Sequence, residues 1–121
     1  MKNFIGRYSL LNHGTYDQAG VYTPTSDYLM GEINYASDGS LSVMILFKPE
    51  IETKKDILSY VGRYELTSEN ILFHNMTLCS QQARNNTAEK RSYLLKENNL
   101  ILGSELPNGS RFEAVWKKGL A

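Results

Sequence analysis

The chain predicts an all-β fold, an eight-stranded antiparallel up-and-down barrel with one short helix. Three observations point there: eight separable runs of β character, Asn/Asp/Gly turns about every ten to fifteen residues, and a single segment that reads as helix. An eight-stranded barrel is about the size that closes around one small ligand. The 121 residues make one domain, 1–121, long enough to bury a core without a metal or a disulfide.

The elements follow in order. Arg7 to Asn12 opens the sheet, and a long connection runs from His13 to Met30 through Tyr16, Tyr22, Pro24 and Tyr28. Gly31 to Tyr35 and Leu41 to Phe47 flank Ser37-Asp38-Gly39, whose Asp-Gly pair is the strongest hairpin signal in the chain. Ile51 to Leu58, after Lys48-Pro49, is the expected helix, covering one end of the barrel. Strands Tyr60 to Leu66, Ile71 to Cys79, Ala88 to Leu95, Leu100 to Glu105 and Arg111 to Lys117 follow, joined by turns such as Lys96-Glu97-Asn98-Asn99 and Pro107-Asn108-Gly109.

Composition narrows the function classes. Thirteen basic residues balance 13 acidic ones, so no overall field draws in nucleic acid or an anionic membrane. Cys79 is the one cysteine, which excludes an intramolecular disulfide and fits either a reducing compartment or a thiol that is merely buried. The segment Met1 to Arg7 carries no apolar run of the secretory kind, and no stretch reaches membrane-spanning length. A cytoplasmic protein, monomeric or weakly homodimeric, is expected, and its Asn-x-Ser/Thr triplets are then chance matches. His13 and His74 lack a paired Cys or carboxylate at ligand spacing, and a lone barrel histidine has no second residue type to support a haem; no metal or other cofactor is expected.

The segment Gly31 to Val43, with its glycine, Tyr35, Asp38-Gly39 and Ser42-Val43, resembles the signature of the bacterial lipocalin-like domain family. Gly6-Arg7-Tyr8, Tyr60-Val61-Gly62-Arg63-Tyr64-Glu65 and Trp116-Lys117 agree in order, so the resemblance covers nearly the whole chain. Tyr8 stands where the family's opening carries tryptophan, and the first long loop reads Thr23-Pro24-Thr25 in place of Pro-x-Gly. The resemblance implies a calycin-type barrel with Tyr8 as an aromatic plug in its floor, and a role in binding more than in catalysis.

Alternation says which side chains face inward, because successive strand residues point to opposite faces. Leu41, Val43, Ile45 and Phe47 form one inward set, Phe112, Ala114 and Trp116 another, and Gly62, Tyr64 and Leu66 a third. On Ile71 to Cys79 both faces carry apolar residues; Leu72, His74, Met76 and Leu78 are taken as internal because only one of them is polar. That choice singles out His74, which then needs a hydrogen-bond partner in an apolar interior. Arg91 shares a face with Tyr93 and Leu95 on the next strand. His74, Arg91, Tyr64 and Tyr93 are therefore the expected polar end of a pocket lined otherwise by Leu41, Val43, Ile45, Met76 and Phe112, suited to a ligand with an apolar body and a carboxylate or enolate head. The competing reading ties His74 and Arg91 to Glu or Tyr partners that brace the barrel. Tyr16, Tyr22, Tyr28 and Tyr35, around the first long loop, are either a lid or ordinary surface residues.

No catalytic constellation is legible, and Cys79, beside Ser80, has no evident base. Two functions from different classes remain: a carrier or sensor of a small hydrophobic, acid-bearing molecule, and an isomerase or cyclase that confines an apolar substrate. A filled barrel acting through its surface is the third.

Overall fold

The computed structural model describes residues 4–48, 57–68 and 70–119. Among these run nine strands: β1 (Gly6–Tyr16), β2 (Tyr22–Pro24), β3 (Tyr28–Tyr35), β4 (Ser40–Phe47), β5 (Ile57–Ser68), β6 (Ile71–Cys79), β7 (Thr87–Lys96), β8 (Asn99–Glu105) and β9 (Arg111–Lys118), with a 3-10 turn at Gln82–Arg84. From β3 onward each strand pairs antiparallel with the next, and β9 returns to pair with β1 from Tyr8↔Lys118 to Tyr16↔Arg111. β3 pairs with β1 over Gly6 to Ser9, and the three-residue β2 takes the same edge over Gly14 to Tyr16. With β2 set aside, eight strands close an antiparallel barrel, which leaves no whole strand as a sheet edge.

The β3–β4 turn shows local chemistry fixing a register. Gly39 sits at φ +90°, the Asp38 carboxylate accepts from the backbone N–H and the hydroxyl of Ser40, and Arg63 donates to the Asp38 carbonyl at 2.8 Å. The ladder then runs unbroken from Tyr35↔Leu41 to Met30↔Leu46. On β4 the inward set Leu41, Val43, Ile45 and Phe47 is buried while Ser42 and Met44 are exposed.

Several expectations are corrected. β1 continues past Asn12 to Tyr16, because the ladder to β9 skips Leu11 as a bulge and resumes at Asn12↔Val115. The skip reverses the alternation, leaving Asn12 outward and burying His13, which the sequence places in the connection. That connection also contains β2 and the first residues of β3, which begins at Tyr28. A second bulge lies on β6, where Val61↔Leu78 is followed by Gly62↔Met76. Thr77 is the extra residue, so Leu72, His74 and Met76 face inward while Leu78 is 63% exposed and Cys79 packs against the core. Gly62 permits this approach, since a Cβ there would overlap the Asn75 carbonyl oxygen. Of the expected helix, residues 51–56 lie outside the described residues, and Ile57 and Leu58 are already strand.

The core has two levels. At the closed end, Phe4 is inserted against Tyr35 (ring centroids 4.3 Å apart), Tyr64 and Tyr93 (both 5.6 Å), and the buried Tyr8 hydroxyl donates to the Phe4 carbonyl at 2.7 Å. This floor uses Tyr8 as a plug, with Phe4 beside it. Above the floor the buried Ile33, Val43, Leu72, Met76, Leu102, Ala114 and Trp116 fill the barrel's waist.

Candidate functional site

Above the waist, toward the end of the barrel where β1, β4, β6 and β8 finish, lies a cavity of about 150 Å³. Val43 and Ile45 of β4, Leu58 and Tyr60 of β5, His74 of β6 and Ala114 and Trp116 of β9 form its walls, and Tyr28, Phe112, Arg84 and Arg91 reach it too. The β5 and β9 residues arrive by simple alternation: Tyr60 stands two residues from Leu58 on β5, and Phe112 two from Ala114 on β9.

His74 is 1% exposed, and both ring nitrogens are occupied. Its Nε2 lies 2.6 Å from the Tyr35 hydroxyl and its Nδ1 2.7 Å from the Tyr60 hydroxyl. Burial, and then the positive charge of Arg91, push its pKa down to about 3, so the ring is neutral near pH 7. Burial pushes the Tyr60 hydroxyl up to about 12 despite Arg91 and Arg84, and raises Tyr35 well above the usual phenol value. All three groups therefore stay uncharged over the physiological range.

The cationic side is built by β7 and the turn before it. Glu89, two residues from Arg91 on the inward face of β7, pairs with Arg84 at 2.8 Å and lies 3.6 Å from Arg91. Arg91 also donates to the Lys90 carbonyl at 3.1 Å. One carboxylate thus serves two partly buried guanidinium groups. The β7–β8 ladder stops at Ser92↔Gly103, and Arg91, Gly103 and Ser104 line both the internal cavity and a larger depression open to the outside. Arg91 stands at that side opening.

At the rim, His13 stacks with Tyr28 at 4.4 Å and Phe112 lies 5.9 Å from both rings, with His13 Nδ1 hydrogen-bonded to the Thr25 hydroxyl. The early tyrosines divide accordingly. Tyr28 is a rim residue, Tyr35 belongs to the buried waist, and Tyr16 and Tyr22 pack on each other outside at 5.0 Å, with the Arg111 guanidinium over Tyr16.

Of the residues expected from the sequence, the fold brings His74, Arg91, Val43, Ile45 and Phe112 to one cavity. Leu41 on β4 and Met76 on β6 are buried on the inward faces of their strands without lining it. Tyr64 and Tyr93 lie at the opposite end, against Phe4, and the Tyr64 hydroxyl donates to the Ala36 carbonyl at 2.7 Å. The competing reading named Glu and Tyr as partner types for His74 and Arg91 without saying which residues; Tyr35, Tyr60 and Glu89 fill those places, and Arg84 was not foreseen. Alternation on β5 carried a signal for Tyr60, which shares the face of Gly62 and Tyr64; nothing local marks Arg84, which enters from a turn.

Among the described residues, no three His, Cys, Asp or Glu side chains cluster as metal ligands would. No protein-family model matches the chain, and no curated protein sequence is similar to it. Among solved structures it is similar to a redesigned β-barrel, at a TM-score of 0.53 and 10% identity over 98% of this chain and 94% of that one. At that identity the likeness shows the fold, and this chain is a closed antiparallel β-barrel.

Proposed function

We propose that the barrel binds one small, largely apolar molecule with a carboxylate head, as a carrier or sensor. The observation that carries the reading is the imbalance of the cavity's polar groups. Two guanidinium groups share one carboxylate, and among the described residues the buried Trp116 indole N–H has no partner and no Asp or Glu lines the cavity. A wall of donors is completed by an acceptor. The remaining lining is aliphatic and aromatic, and a cavity of about 150 Å³ suits a molecule near the size of one aromatic ring. The lipocalin-like resemblance of Gly31 to Val43 supports the same reading. The low pKa of His74 weighs against the isomerase or cyclase alternative, since a base whose conjugate acid dissociates near pH 3 has little strength for proton abstraction.

Benzoate and toluene test this, with the fluorescence of Trp116, the sole tryptophan and a cavity residue, as readout. Arg91→Met should weaken benzoate binding by about tenfold or more while leaving toluene unchanged, as expected for loss of a charge-assisted hydrogen bond. Equal benzoate affinity in both proteins would refute the anionic-head reading.

A further inference from the structure

The two hydrogen bonds of His74 have a direction, and the fold decides it. A neutral imidazole has one N–H donor and one bare nitrogen acceptor. Tyrosine hydroxyls flank both nitrogens, so one tyrosine donates to His74 and the other accepts from it. The accepting tyrosine keeps a hydroxyl proton that must find another acceptor. If that tyrosine were Tyr35, the proton would be sealed in the barrel's waist. Tyr35 is fully buried and ringed by Phe4, Tyr8, Tyr64 and His74. Among the described residues Tyr35 has no second hydrogen bond. Tyr60 differs because it lines the cavity.

From this asymmetry we infer that Tyr35 donates to Nε2 of His74, that Nδ1–H donates to the Tyr60 oxygen, and that Tyr60 presents its own proton to the cavity as a hydrogen-bond donor to an oxygen of the bound molecule. Tyr60 is then a specificity-determining residue and His74 a positioning residue that acts through it. The assignment rests on the cavity being a binding site and deepens that reading: the ligand oxygen meets a neutral phenol donor on one side and the Arg91 guanidinium on the other. An oxygen acceptor, carboxylate or carbonyl, is selected over a donor such as an amine or an anilide N–H. An unpaired buried donor in either partner is what excludes the wrong head group.

Two measurements on the intact chain test it. Long-range proton–nitrogen NMR correlation of histidine-labelled protein at pH 7, with His74 identified by the signal lost in His74→Gln, is expected to show a protonated Nδ1 and a bare Nε2. A protonated Nε2 overturns the inference whatever the binding data give. Titration of Tyr60→Phe with benzoate, benzaldehyde and toluene is expected to show both oxygen-bearing probes weakened, benzoate by about tenfold or more, with toluene unchanged. If Tyr60→Phe binds benzoate and benzaldehyde as the parent protein does, the role of Tyr60 falls while the binding cavity stands. If the parent protein binds none of the three, both fall together.

Discussion

His74 owes its state to three neighbours on three different strands: Tyr35 on β3, Tyr60 on β5 and Arg91 on β7. Its neutrality has a thermodynamic consequence. Folded, the ring resists protonation down to about pH 3; unfolded, it takes a proton near 6.5. Between those values the unfolded chain binds the extra proton, so stability falls as pH falls, by about 1.4 kcal/mol per unit at the steepest. Above pH 6.5 neither state is protonated and the contribution is constant and fully present. Urea midpoints should therefore drop between pH 7 and pH 4.5 by more in the parent protein than in His74→Gln. The same drop in both would show that His74 is not the group responsible.

At the scale of the strand, bulges on β1, β3 and β6 decide which side chains enter the barrel. The one at Leu11 turns His13 inward to the rim, and the one at Thr77 turns Leu78 out. Met76 and Leu78, two residues apart and both apolar, then have opposite energetics. Met76→Ala should cost about 2–5 kcal/mol by emptying a filled position, whereas Leu78→Ala should fall within about 0.5 kcal/mol of neutral. Chemical denaturation of the two variants checks the bulge, since comparable losses would mean that β6 alternates without interruption.

The whole molecule is held by a seam between its first and last strands, β1 and β9, which makes one closed barrel of the sheet. Trp116 sits opposite Leu10 on that seam and is 3% exposed, so its fluorescence reports on closure. Native emission should be blue-shifted. In urea it should follow the same transition as far-ultraviolet circular dichroism, because β1 and β9 each lose a partner and the core shared by all eight strands opens once the seam parts. Trp116 emission moving to the red ahead of the dichroism would mean that β9 peels away first.

Alternation along β4, β7 and β9, the Asp38-Gly39 turn and the spacing of Asn/Gly turns were enough to read a barrel, its inward faces and the candidates His74 and Arg91. Those are local signals: a period of two and a turn that needs positive φ leave their mark residue by residue. The bulges left no such mark. Leu11 and Thr77 are ordinary strand residues whose displacement follows from ladders formed with distant strands, so the inward turn of His13 and the outward turn of Leu78 had to wait for the tertiary structure. The grouping of the site was equally non-local. Adjacent strands gave His74 and Arg91, but position along the barrel axis, set by register around the closed ring, sent Tyr64 and Tyr93 to the Phe4 floor and brought Tyr35, Tyr60, Arg84 and Glu89 to the histidine and the arginine. The sequence by itself determined the barrel and, where the ladders run unbroken, which side chains enter it. Only the fold decided at what depth each would stand, because depth depends on the register of every strand pair at once.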